Sequence, residues 1–268
     1  MLAVCATPIG NLDDVTLRVL AELRAAEIVL AEDTRRTRTL LERHAIEAPL
    51  LSYHVHNEAA RTAELVPRLV AGARVALVSD AGMPGISDPG VRLVAAAREA
   101  GVEVTVLPGP SAVETALVTS GLAADRYAFL GFLPRRASAL DALWAELRAW
   151  PWPAVAFESP RRLPASLASL AAADPGREAA VCRELTKRFE EVVVATAAAL
   201  AERFREPPKG EITLVIGPPQ AAEGRGEDVE ARAAVADLVA AGTPRRVAAD
   251  VVSRLTGSSR NALYRSTL

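Results

Sequence analysis

The residues best suited to chemistry sit in short polar segments, each following a run of small apolar residues. The charged run Glu32-Asp33-Thr34-Arg35-Arg36 offers proton acceptors beside guanidinium groups. Asp80 opens the loop Ser79-Asp80-Ala81-Gly82-Met83-Pro84-Gly85-Ile86-Ser87-Asp88-Pro89-Gly90, and Pro108-Gly109-Pro110-Ser111-Ala112 makes a second rigid turn. A third loop, Thr7-Pro8-Ile9-Gly10-Asn11-Leu12, supplies a hydroxyl and a glycine that permits close backbone approach. Proline presets backbone torsions and glycine removes bulk, so such loops lose little freedom on closing around a ligand. A small-molecule cradle built largely from main chain is expected. Plainer readings stand beside this one. Asp33 can serve as a helix cap, the first loop as a strand-ending turn, and Ser111 with Glu114 as a capping box.

The second half of the chain adds Phe157-Glu158-Ser159-Pro160-Arg161-Arg162, Arg183-Glu184-Leu185-Thr186-Lys187 and Pro207-Pro208-Lys209-Gly210-Glu211. Phe157 suits either the core or the face of an adenine ring. Neither a GxGxxG nor a Walker sequence is present, and no G-x-S-x-G elbow supports triad hydrolysis. His54-Val55-His56-Asn57 lacks the carboxylate or cysteine partners a metal would need, so no metal is expected. Cys5 and Cys182 belong to no CxxC pair and read as buried small hydrophobes in a reducing compartment. No apolar run reaches membrane-spanning length and no signal core opens the sequence, so a cytoplasmic location is expected, away from membranes.

These segments need a scaffold, and the periodicity supplies one. Strands are expected at 2–6, 28–31, 50–53, 74–78 and 102–107, with helices at 16–26, from the charged turn to about 44, at 58–71 and near 89–100. The alternation predicts an α/β fold with a mainly parallel sheet, whose carboxyl strand ends carry the polar loops. From about residue 123 a second α/β domain is expected, with strands at 127–130, 154–157, 178–182, 192–196 and 211–216. The short spacing of the last two implies a mixed sheet. The expected domains are thus 1–122 and 123–220. Residues 218–229 read as a linker.

Residues 230–268 form a small helical unit with six arginines against three acidic residues. Thr243 is placed to cap its second helix, with Pro244 in the first turn and Gly257-Ser258-Ser259 turning into a final helix. Arg245 and Arg246 fall in that first turn, where the helix dipole disfavours cations and a partner phosphate would compensate. A solvated amphipathic cap is the alternative. Net charge, at −2, does not by itself announce nucleic acid.

Taken together, the 7–12 loop, Ala31-Glu32-Asp33-Thr34-Arg35, the 79–90 loop and 108–112 resemble the tetrapyrrole-methylase-like superfamily. More narrowly they are similar to its small-subunit ribosomal RNA (cytidine-2′-O)-methyltransferase branch. His54-Val55-His56-Asn57-Glu58, Gly131-Phe132-Leu133-Pro134, Phe157-Glu158-Ser159-Pro160, Arg183 to Lys187, Lys209-Gly210-Glu211 and Asn261-Ala262-Leu263-Tyr264 extend the likeness through nearly the whole chain. The resemblance implies the two-domain tetrapyrrole-methylase-like fold enclosing S-adenosyl-L-methionine, a homodimer, and methylation of a cytidine ribose in the decoding region of 16S rRNA in the small ribosomal subunit. Tetrapyrrole-modifying relatives carry a more glycine-rich first loop, which favours the RNA branch over precorrin-type C-methylation. A non-enzymatic ribosomal RNA-binding protein is a further alternative. By likeness, Thr7, Pro8, Gly10, Asp80, Ala81, Gly82, Ile86, Ser87, Pro108 and Ser111 fall in the cofactor cleft, joined by Phe157, Pro208 and Lys209. Glu32, Asp33, Asp80 and Lys187 are the candidate catalytic groups. Arg35 and Lys209 are placed to position phosphate or polarise the site. Arg35, Arg36, Arg38, Arg135, Arg136, Arg245 and Arg246 make up the expected RNA-steering surface.

Overall fold

The computed structural model describes residues 1–219, 227–258 and 260–265, with backbone alone at 227–229 and 261–262. Most of the expected linker, and Ser259 of the expected turn, lie outside the described residues. Residues 1–218 form one compact unit, and a second begins at Pro219.

Strands β1 (Leu2–Cys5), β2 (Ile28–Ala31), β3 (Leu50–Ser52), β4 (Val75–Val78) and β5 (Val104–Leu107) alternate with helices α1 (Leu17–Ala25), α2 (Thr34–Arg43), α3 (Glu58–Val70) and α4 (Val91–Glu99). Expected and observed ends differ by one or two residues, the usual uncertainty of fraying termini. The strands pair in parallel in the order β3-β2-β4-β1-β5. β1, β2 and β4 are buried along their whole length, which is why their sequences run apolar without alternation. Helices α1 and α2 cover one face, with Val19, Leu23 and Leu40 against Ala3, Val29 and Ala76. Helices α3 and α4 cover the other, with Leu65, Leu69 and Leu93 against Leu2, Leu30 and Leu77. Right-handed crossovers place connections of opposite direction on opposite faces. The direction therefore reverses between β2, which leads outward to β3, and its neighbour β4, which leads back across β1 to β5. Such a switch point opens a crevice at the carboxyl ends of the strands.

Helix α5 (Ala112–Ser120) leaves the first sheet and packs on a second one, formed by β6 (Ala128–Phe132), β7 (Ala154–Glu158), β8 (Glu178–Arg183), β9 (Glu191–Thr196) and β10 (Ile212–Ile216) in the order β6-β7-β10-β8-β9. Val113, Ala116 and Leu117 of α5 meet Val155, Ala180 and Val215, and Ile9 of the first loop joins them. Helices α6 (Ala137–Ala149), α7 (Leu163–Ala173) and α8 (Ala197–Arg203) cover the opposite face. The sheet is mixed, but its antiparallel pairs differ from the expected one. β8 and β9 form the hairpin, while α8 carries the chain from β9 to β10, which enters between β7 and β8 and runs antiparallel to both. Both sheets lie within the first compact unit.

The second unit consists of α9 (Glu227–Ala240), α10 (Arg245–Thr256) and α11 (Arg260–Arg265), packed through Ala231, Val235, Ala248, Val252 and Leu263. Pro244, not Thr243, occupies the N-cap of α10, because its ψ of 131° is still extended, and no side chain caps the helix. Gly257 ends α10 in the left-handed conformation.

Candidate functional site

The loops after β1 and β4 are zipped together at the sheet's carboxyl edge. Thr7 and Gly82 exchange backbone hydrogen bonds of 2.8 and 3.0 Å. The buried Thr7 hydroxyl donates to the Ser79 carbonyl at 3.0 Å, so it locks this loop pair. Gly82 has φ +79°, a conformation that side chains disfavour. Gly10 serves a different purpose: a Cβ there would lie 2.8 Å from the Leu185 carbonyl oxygen and 2.5 Å from Lys187 Cγ. Loops from the two sheets meet here because position 10 carries no side chain.

Two adjoining cavities, of about 240 and 230 Å³, open along this line. Ala81, Gly82, Ile86, Ser87 and Ser111 line the first, with Phe132 and Phe157 contributed by the second sheet. Thr7, Pro8, Gly10, Thr37 and Lys187 line the second. Arg36, Asp80 and Glu211 border both. The Arg36 guanidinium stands 3.8 Å from carboxylates on either side, Asp80 and Glu211, and so spans the two sheets. Phe157 fills both roles open to it, touching Phe129 and Phe132 edge-to-face at 5.1 and 5.6 Å while forming a cavity wall.

The charges divide by sheet. On the first-sheet side, the carboxyl groups of Glu32 and Asp88 face each other. Burial, reinforced by Glu32 and Asp80, pushes Asp88 up to about 7. Burial and then Asp80 also raise Glu32, against the opposing fields of His54 and Arg36. The Asp80 carboxylate accepts the Asp33 N–H at 2.9 Å. On the second-sheet side, Lys187 Nζ donates to Glu184 and Glu211 at 2.8 Å each. Burial would lower Lys187, but these two bonds outweigh it and keep the ammonium charged. The bond to Lys187 in turn holds Glu184 below the usual carboxylate range.

Several residues singled out in the sequence are placed elsewhere or otherwise occupied. Asp33 caps α2 and is gripped by Arg35 at 2.9 Å, which lowers it to about 2; neither residue borders a cavity. Ser111 occupies the N-cap of α5, but its hydroxyl bonds the Glu114 carboxylate and not a backbone N–H, so the expected capping box is not closed. Pro108, Pro208 and Lys209 are not among the cavity-lining residues. Arg38 borders a separate surface hollow beside α2, Arg135 and Arg136 are exposed ahead of α6, and Arg245 and Arg246 are exposed in the second unit. Glu158 is buried and taken up by the Ser159 N–H, the Ser166 hydroxyl and Arg162, which together fix the start of α7. Burial drives the thiols of Cys5 and Cys182 up to about 12, so neither is a nucleophile. Among the described residues, no group of three or more His, Cys, Asp or Glu side chains is arranged to hold a metal ion.

The structure adds Met83, Asp88, Phe132 and Glu211 to the site. Asp88 and Glu211 lay inside recognised segments, and only their direction was missing. His54 sits at the carboxyl end of β3, where its field reaches Glu32, and its Nδ1 is buried without a hydrogen bond.

Residues 1–201 match the family described as Tetrapyrrole (Corrin/Porphyrin) Methylases. The chain belongs to this methylase family. As a tetrapyrrole methylase family member it is a methyltransferase. It is 44% identical, across 100% of its own length and 91% of the relative's, to "Ribosomal RNA small subunit methyltransferase I" of Mesorhizobium japonicum. The protein of the same name from Thermotoga maritima is 43% identical over 80% of this chain and 97% of its own. Among solved structures, the uroporphyrin-III C-methyltransferase of Thermus thermophilus complexed with S-adenosyl homocysteine superposes with a TM-score of 0.57 at 17% identity, covering 81% of this chain and 96% of that one. At that identity the likeness speaks for the tetrapyrrole methylase fold alone.

Proposed function

We propose that this protein transfers a methyl group from S-adenosyl-L-methionine to the ribose 2′-hydroxyl of a cytidine in the decoding region of 16S rRNA. The observation that carries this reading is the 44% identity, over the whole chain, to a protein named as a small-subunit ribosomal RNA methyltransferase. The fit of the site supports it. S-adenosylmethionine carries ammonium and sulfonium cations and an adenine ring, and the first cavity offers the carboxylate of Asp80 and the ring of Phe157. When bound, this cofactor supplies an electrophilic methyl group.

The chain's own residues then have distinct tasks. Ala81, Gly82, Ile86, Ser87 and Ser111 hold the donor through a preshaped backbone in the first cavity, and Thr7, Pro8 and Gly10 complete the cofactor cleft from the second. Arg36, between the two, positions phosphate. Holding donor and acceptor in fixed register reduces the entropic part of the barrier, an effect worth up to ~7–11 kcal/mol in well-oriented systems. Arg35, Arg38, Arg135, Arg136, Arg245 and Arg246 steer the RNA by its phosphates. The first sheet with its loops acts as the cofactor domain, residues 123–220 as a second domain, and the basic helices as an RNA contact. The protein works as a cytoplasmic homodimer on the small ribosomal subunit.

Isotope-labelled methyl transfer to small-subunit particles, with the product mapped to a nucleotide and to the 2′-oxygen, tests donor, substrate and atom together. Transfer to a precorrin and not to RNA would overturn the assignment. Replacing Arg245 and Arg246 by alanine should weaken RNA binding and lower the salt slope by about 2 while leaving S-adenosyl homocysteine affinity unchanged. An unaltered salt titration would remove these arginines from the RNA contact.

A further inference from the structure

Of the carboxyl groups in and beside the cleft, three are committed to other partners. Glu211 is paired with Lys187, Asp80 accepts the Asp33 N–H and faces Arg36, and Glu184 serves Lys187 and the Glu211 N–H. Asp88 differs. It lines the first cavity, and its carboxyl partner is Glu32, which does not line it. The backbone that turns Asp88 inward is unusual, since Ser87 stands at φ +66° between Gly85 at +83° and Gly90 at +146°. A non-glycine residue in that region is costly and persists only where the surrounding structure over-determines it.

We propose that Asp88 is the catalytic proton acceptor for the substrate hydroxyl, and that Glu32 is the positioning residue that orients it. The inference rests on the methyl-transfer reading above. As the acceptor oxygen forms its bond to the methyl carbon, that carbon's bond to sulfur breaks and the electron pair stays with sulfur, which becomes a neutral thioether. The hydroxyl proton passes to the Asp88 carboxylate and leaves to solvent after product release. A base of this kind works best when its pKa lies near the working pH, and burial beside Glu32 brings Asp88 to about 7. The other titratable or charged groups facing the pair are Asp80 after β4, His54 after β3 and Arg36 on α2. Two of them, His54 and Arg36, bear on Glu32 with the opposite sign to Asp80.

The test uses the full chain and the variants Asp88→Asn and Glu32→Gln. Methyl transfer to small subunits is measured across pH 5–9 (about two units either side of neutrality), S-adenosyl homocysteine affinity by calorimetry, and protonated carboxyl groups by infrared spectroscopy on the protein alone. Asp88→Asn should lose about 10²–10³-fold in kcat with unchanged S-adenosyl homocysteine affinity, and its rate should lose the rise through pH 7. The infrared band of a carboxylic acid that titrates near 7 in the parent should be missing in this variant. Glu32→Gln removes a negative neighbour, so both the band and the rise in rate should move to lower pH with a smaller loss of rate. Wild-type kcat in Asp88→Asn, or a parallel loss of S-adenosyl homocysteine affinity, overturns the proposal. So does a parent spectrum without a carboxylic acid at pH 6. A parent protein that transfers nothing to small subunits overturns the RNA reading, and the infrared titration judges the Asp88–Glu32 pair independently of it.

Discussion

The two sheets meet the cleft in opposite electrostatic states. The parallel sheet brings only carboxyl strand ends to the crevice, and its loops gather acids that burial pushes up, Glu32 and Asp88. The mixed sheet brings the ends of β7 and β8 together with the start of β10, since Ile212 pairs with both Glu158 and Arg183. Its acids are pulled down by cations: Glu184 by Lys187, and Glu191 by Arg203 and Arg183. A parallel sheet sends every loop of one kind to one edge, where main chain dominates and charges crowd. An antiparallel arrangement alternates strand starts and ends, so opposite charges from different segments can pair.

The contact between the halves is the place to break this arrangement most severely. Gly10→Ala would drive a methyl into the Leu185 carbonyl, and backbone cannot yield as a side-chain tip can. The expected cost is about 1–3 kcal/mol of stability with a weakened S-adenosyl homocysteine site, read by denaturant unfolding and calorimetry.

A pH comparison then separates the two edges. Asp88 has a folded-state pKa raised above its unfolded value of 3.8, so its ionisation opposes folding increasingly from about pH 4 up to pH 7. Asp88→Asn should therefore stabilise the protein at pH 8, by roughly 1–2 kcal/mol after allowance for its partial exposure, and leave it unchanged at pH 4. Lys187→Met should act in the reverse sense. Glu184 is depressed below 4.5, so its contribution is present at neutral pH and lost as pH falls through its folded value. The variant should cost roughly 0.5–1 kcal/mol at pH 7 and much less at pH 3, by urea titration at both. Equal shifts in both variants at both pH values would mean that the two edges do not differ.

Much of this was legible in the residues. The apolar runs LAVC, IVLA and VALV located the buried strands, and the proline-glycine loops located their carboxyl ends. Thr7, Asp80, Gly82, Ser87, Ser111 and Phe157 were picked out as site residues and do line the cavities. Asp33 and Lys187 looked equally suitable as bases, because a side chain's type does not reveal what occupies it. Arg35 lies two residues from Asp33 and could have been suspected. Glu184 lies three residues from Lys187 and could likewise have been suspected, whereas Glu211 precedes β10, and only folding brings it within 2.8 Å of Lys187.

The sequence by itself determined the alternation of strand and helix, the positions of the shaped loops and the family likeness, because each depends on local periodicity or on residues adjacent in the chain. Tertiary structure decided which acids face the cleft and in what ionisation state. Asp88 meets Glu32 across the switch point between β2 and β4, and proton affinity depends on burial and neighbouring charge, which are properties of the assembled crevice.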